Sequence, residues 1–170
     1  MPVQFNAEEM FEIAERIEQN GAAFYRAGAE VAGKPEAQKL LVRLADWEEQ
    51  HRQTFHQMRA DYGKGGLEPS PLSPEEEPAK YLQAIADGKV FDVRESPQET
   101  LPPGTSLEQI FREALRRERD TVVLYLGMRN IVPENRGREG VDRILQEEMS
   151  HVRYVSEALH RETGRPASAP

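Results

Sequence analysis

Two stretches of this chain repeat one pattern of side chains at a fixed offset, and that repeat limits the fold more than any other feature. The first is Glu48-Glu49-Gln50-His51; the second, one hundred residues on, is Glu148-Met149-Ser150-His151. Thirty residues before each copy stands another glutamate, Glu18 or Glu118, and seven residues after each of these stands a tyrosine, Tyr25 or Tyr125. The same offset pairs Phe11 with Phe111, Ala14 with Ala114, Arg16 with Arg116 and Arg43 with Arg143. Duplication of a helical hairpin leaves such pairing behind.

Apolar residues recur at helical spacing in four long segments. Asn6 and Glu9 form a capping box for a helix over 7–32, whose inner face carries Phe11, Ala14, Glu18, Gly21, Ala22, Tyr25 and Gly28. Gly33 is expected to stop it, and Pro35 suits the first turn of the next helix. That second helix runs to Tyr62 with Gly63 as its stop, and its stripe is Leu40, Leu44, Glu48, His51, Phe55 and Met58. Ser106 and Gln109 cap a third helix to Val132, with Phe111, Ala114, Leu115, Glu118, Val122 and Tyr125 inward. Pro133 ends it, and the fourth runs from Glu134 to Thr163 before Gly164, with Val141, Ile144, Glu148, His151, Val155 and Leu159 on its stripe. In every helix the charged residues of the repeat interrupt an otherwise apolar row.

Residues 63–105 hold seven of the twelve prolines and five glycines, and read as a long crossover carrying a short helix over 74–87. Gly63-Lys64-Gly65-Gly66 lacks the Gly-Lys-Ser/Thr ending of a phosphate loop and reads as a turn. Short, long and short connections predict an all-α, ferritin-like four-helix bundle with one crossover. It forms one domain over 1–165, followed by a flexible tail at 166–170.

Composition narrows the function. A net charge of −8 disfavours nucleic acid and anionic membrane as partners. The absence of cysteine removes disulfides, thiolate nucleophiles and iron–sulfur clusters. No apolar run reaches the length of a membrane span, and Met1-Pro2-Val3-Gln4 does not open a signal peptide, so a cytoplasmic location is expected.

A glutamate and a histidine three apart lie about 60° apart around a helix and can reach one ion. Two such helices facing two single-glutamate helices supply bridging carboxylates, terminal carboxylates and one imidazole per ion, the donor set of a two-metal site. Four buried carboxylates without counterions would cost several kcal/mol each or be forced to protonate. Two divalent cations would cancel them. Glu157-Ala158-Leu159-His160 provides a control. It falls two and a half turns past the second copy, so it points to the opposite side, and its offset partners Gln57 and Ala60 do not match. Tyr25 and Tyr125 are candidates for a supporting role behind the ligands, whereas Trp47, His56 and His160 read as packing or surface.

With these residues in place, the chain resembles the rubrerythrin family of ferritin-like di-iron proteins across nearly its whole length. The Glu…Tyr spacing, both Glu-x-x-His motifs and the Tyr81-Leu82…Val90-Phe91 region carry the likeness. The resemblance implies Glu18, Glu48, His51, Glu118, Glu148 and His151 as ligands of two iron ions, with Glu48 and Glu148 bridging and Glu18 and Glu118 terminal. Zinc or manganese could take the same places. It implies an oxidoreductase that reduces hydrogen peroxide or dioxygen, served by a separate electron-donor protein, with a homodimer as the expected assembly. Two features depart from the family. Thr121 stands where its peroxidases carry an extra carboxylate one turn after the third-helix glutamate, and the cysteine-rich electron-relay domain is missing. Ferroxidase or iron handling, and a metal-stabilised binding protein without turnover, are the alternative functions.

Overall fold

Helix ends in this chain are set by capping side chains and by glycine conformation. The computed structural model describes residues 7–64, 80, 101–102 and 104–164. It contains α1 (Ala7–Val31), α2 (Pro35–Gly63), α3 (Leu107–Ile131) and α4 (Arg138–Thr163), with a 3-10 turn at Glu134–Arg136 before α4. At the start of α3 the Gln109 amide donates to the Ser106 hydroxyl oxygen, while the Gln109 side chain accepts from the Ser106 amide, completing the expected capping box. Gly164 closes α4 in the left-handed region, φ 65°, and its amide donates to the His160 carbonyl. Asn6 and, except for Lys80, the residues of the short helix expected over 74–87 lie outside the described residues.

Two boundaries differ from the sequence reading. The fourth helix starts at Arg138 instead of Glu134, because Gly137 takes a left-handed φ of 113° that breaks the helical path after the 3-10 turn. A Cβ there would also come within 3.2 Å of Met58 Cε. At the other end of α2, Gly63 is helical and not a left-handed stop; Lys64 follows with helical torsions, φ −71°.

Contacts between side chains give the direction of each helix. Glu15 meets His56 and Glu12 meets Arg59, so α1 and α2 are antiparallel. Tyr25 meets Glu118 and Tyr125 meets Glu18, so α1 and α3 are antiparallel as well. The order around the bundle is α1, α2, α4, α3. It follows that α2 and α3 run parallel, with the end of one and the start of the other at opposite ends of the bundle. Among the described residues there is no strand, and the chain is an all-α four-helix bundle.

The apolar stripes form two clusters. One gathers Met10, Phe11, Phe55, Leu124, Met128 and Val141; the other gathers Phe24, Leu41, Leu44, Ile110, Phe111 and Val155. Each draws on all four helices, and burial of each large side chain stabilises by about 1.5–3 kcal/mol. Between the clusters, where the repeat puts its charged residues, lies a polar layer. No helix among the described residues is long and apolar enough to cross a membrane.

Candidate metal centre

All six charged residues of the repeat are buried in that layer, none more than 4% exposed. One Glu-x-x-His comes from α2 and one from α4, which are neighbours in the bundle; Glu18 and Glu118 come from α1 and α3. Glu48, His51, Glu148 and His151 form the middle, with a ligand atom from each lying within 4.8 Å of the others. His51 Nδ1 is 2.7 Å from Glu148 Oε1 and 3.6 Å from Glu18 Oε2. His151 Nδ1 is 3.3 Å from both Glu48 Oε1 and Glu148 Oε2, and 3.7 Å from Glu118 Oε2. Thus Glu48 and Glu148 are central, while Glu18 flanks His51 and Glu118 flanks His151.

The tyrosines cross between halves. Tyr25 donates to Glu118 Oε1 and Tyr125 donates to Glu18 Oε1. Each flanking glutamate therefore has one oxygen held by a phenol and the other turned toward a histidine. Burial first, then the nearby carboxylates, pushes both phenols up, so they remain protonated donors near neutral pH. Gly21 lets the backbone of α1 come close to the centre, since a Cβ there would lie 2.7 Å from Glu48 Oε2. Thr121, its counterpart on α3, is also buried. Neither residue offers a carboxylate.

Electrostatics shows what this cluster is suited to hold. Burial and the neighbouring carboxylates push Glu18, Glu48 and Glu118 above the usual carboxylate range. Burial alone would lower the two imidazoles, but Glu148 and its neighbours outweigh it and raise both, His51 to about 11. Burial would raise Glu148 too, yet the two histidines hold it well below its usual range. Six of the seven buried side-chain oxygen and nitrogen atoms with no hydrogen-bond partner among the described residues belong to this centre. They are Glu18 Oε2, Glu48 Oε1, both oxygens of Glu148 and the Nδ1 atoms of His51 and His151. Carboxylate oxygens and imidazole nitrogens that face one another without a hydrogen bond suit divalent cations, and oxygen and nitrogen donors of this kind accept iron, zinc or manganese.

The exposed Glu157 and His160 stand outside the cluster, as their spacing predicts. Three residues to which the sequence reading gave no role at the centre line up beside it or one ring further out. His51 Nε2 donates to Glu147 Oε2 over 2.8 Å, which leaves Nδ1 as the nitrogen turned inward. His151 instead lies parallel to Trp47, with ring centroids 5.1 Å apart, and Trp47 lies parallel to Tyr154. Trp47 does pack, as expected, but against a histidine of the centre. The signal was present in the repeat: Trp47 and Glu147 occupy equivalent positions and are chemically unlike.

No protein-family model matches the chain, and no curated protein sequence matches it. Among solved structures, one from Thermotoga maritima, provisionally described as a ferritin-like diiron-carboxylate protein, superposes with a TM-score of 0.69. The alignment covers 94% of this chain and 98% of the other at 20% sequence identity. The fold is therefore ferritin-like. The buried glutamates and histidines define a candidate metal site at its centre.

Proposed function

We propose that the chain is a non-haem di-iron oxidoreductase of rubrerythrin type, reducing hydrogen peroxide or dioxygen at a carboxylate-bridged centre. The observation that carries this reading is the set of inward-facing donor atoms in a buried layer sealed by apolar clusters above and below. Glu48 and Glu148 would bridge two ions; Glu18 with His51 and Glu118 with His151 would complete their ends. Two ferrous ions would supply the two electrons that, with two protons, reduce one hydrogen peroxide to two waters.

The chain's own residues have separate tasks in this scheme. Tyr25 and Tyr125 fix the flanking glutamates through one oxygen each, leaving the other free to bind. The hydrogen bond to Glu147 holds His51 as the tautomer that ligates through Nδ1. The apolar clusters exclude bulk water and strengthen every interaction inside. Gly21 leaves room beside Glu48, so this carboxylate can change its mode of binding as charge on the site changes.

Anaerobic loading with Fe(II), followed by stopped-flow mixing with hydrogen peroxide, tests the proposal. Oxidation of protein-bound iron much faster than that of free Fe(II), and repeatable after reduction, is the expected result. A site that fills with iron but consumes peroxide no faster than free Fe(II) would refute it.

A further inference from the structure

Four aromatic rings stand in a row leading outward from the centre. His51 lies parallel to His151 with centroids 5.3 Å apart, His151 to Trp47 at 5.1 Å, and Trp47 to Tyr154 at 5.6 Å. Interplanar angles along the row are 17°, 12° and 23°. The phenylalanine and tyrosine pairs elsewhere are tilted by 36° to 70°. Ordinary core packing thus gives tilted rings in this protein, and only this row is stacked among the described residues. The histidines are buried, whereas Trp47 and Tyr154 are half-buried and reach the surface. Among the described residues only one half of the repeat has such a row, because the repeat partners of Trp47 and Tyr154 are Glu147 and Thr54.

A centre sealed between apolar clusters is out of reach of any protein-sized redox partner, so electrons must cross the chain. We propose that His151, Trp47 and Tyr154 form the path by which electrons pass between the centre and a one-electron donor protein, of the reduced flavin or iron–sulfur class, docked at Tyr154. This rests on the reading that the centre holds iron. Each step along the row is between rings in contact. Guanidinium groups lie over the two outer rings, Arg43 5.8 Å from the centroid of Trp47 and Arg153 4.3 Å from that of Tyr154. A cation over a ring disfavours positive charge resting on it, so the row conducts without storing a radical. Each electron entering converts one Fe(III) to Fe(II); no bond in the row forms or breaks and no proton moves.

Ferricyanide makes the test, since a buried cluster of carboxylates excludes this trianion and it accepts one electron per ion. Fe(II)-loaded protein is mixed with ferricyanide, which becomes ferrocyanide as one Fe(II) becomes Fe(III). Tyr154→Leu, with loading equal to the parent, should slow this reaction by about tenfold, equivalent to about 1.4 kcal/mol of barrier. Tyr154→Phe keeps the ring and should keep the rate. Oxidation by hydrogen peroxide, small enough to enter, should be unaffected by Tyr154→Leu, because Tyr154 is not one of the six residues that would hold the ions. The inner half of the row has its own readout: emission of Trp47, the single tryptophan of the chain, should be quenched when Co(II) binds and much less so with Zn(II). An unchanged ferricyanide rate in Tyr154→Leu, or emission indifferent to Co(II), overturns the path. Failure of iron to bind removes the centre and the path together. Bound iron that ignores peroxide yet depends on Tyr154 for ferricyanide removes the peroxide reading and leaves the path standing.

Discussion

The hydroxyl of Tyr25 on α1 donates to the carboxylate of Glu118 on α3, joining the two halves of the repeat across the bundle. Tyr125 returns the bond to Glu18. Removing either phenol leaves a buried carboxylate oxygen without its donor. Tyr25→Phe and Tyr125→Phe should each cost about 1–3 kcal/mol of stability in the metal-free protein, measured by urea unfolding. Unfolding midpoints within error of the parent would mean the hydroxyls do not hold the glutamates.

Iron or zinc should bind at two ions per chain. Glu148→Ala, which removes the carboxylate that approaches both histidines, 2.7 Å from His51 and 3.3 Å from His151, should abolish the second ion and weaken the first. Glu157→Ala and His160→Ala, both on the exposed face, should leave loading unchanged. Elemental analysis decides between this and a site for one ion.

The protons of the metal-free centre set a pH dependence. Glu18, Glu48 and Glu118 sit above 4.5 and His51 rises from 6.5 to about 11, so the folded state binds these protons more tightly than the unfolded chain. Their stabilisation is complete below the unfolded values and is lost as pH rises through the folded ones. Glu148 acts in the opposite sense, being lowered, and its contribution is lost on acidification below 4.5. Metal-free protein should therefore lose stability as pH rises from about 5 toward about 11, while metal-loaded protein, its protons displaced by cations, should resist that loss. Parallel melting curves for the two forms across this range would contradict the buried-carboxylate centre.

His51 and His151 are held by unlike neighbours, so their ends of the centre should differ in affinity. Glu147→Gln replaces the carboxylate that accepts from His51 Nε2 with an amide, and should weaken one of the two ions by about tenfold. Calorimetric titration with Zn(II) would show whether one binding step moves and the other stays; no movement in either step would leave Glu147 without influence on the centre.

Thr121 gives the last test. Neither it nor Gly21 adds a carboxylate to the six residues of the centre, so Thr121→Glu should shift the preference of the Fe(II)-loaded protein toward peroxide over dioxygen by about tenfold in rate ratio. Stopped-flow oxidation with each oxidant measures it. An unchanged ratio with the metals still bound would show that residue 121 does not set oxidant preference.

Most of the centre could be read in the chain because glutamates and histidines in the middle of apolar stripes have no other reason to be there. Periodicity gives the face of a helix, and the hundred-residue offset gave the partner helix. The roles of Trp47, Glu147 and Tyr154 could not be read in this way. Comparing the halves for identity discards the positions where they differ, and stacking on His151 depends on how α2 and α4 cross. The break at Gly137 was hidden for a similar reason: its left-handed torsion sits against Met58 and Phe11, contacts made only after the hairpins dock. Glycine alone in the sequence does not reveal its torsion.

Neither hairpin can complete an apolar cluster by itself, since both clusters take side chains from all four helices. Each also brings only one glutamate–histidine pair and one flanking glutamate. Severed from one another, the hairpins would be complementary fragments that recognise each other through greasy surfaces above and below and an ionic clasp between. Their reassembly would be gated by divalent cations and reversed by a chelator, which makes the duplicated fold a natural split reporter for the ion it is built to hold.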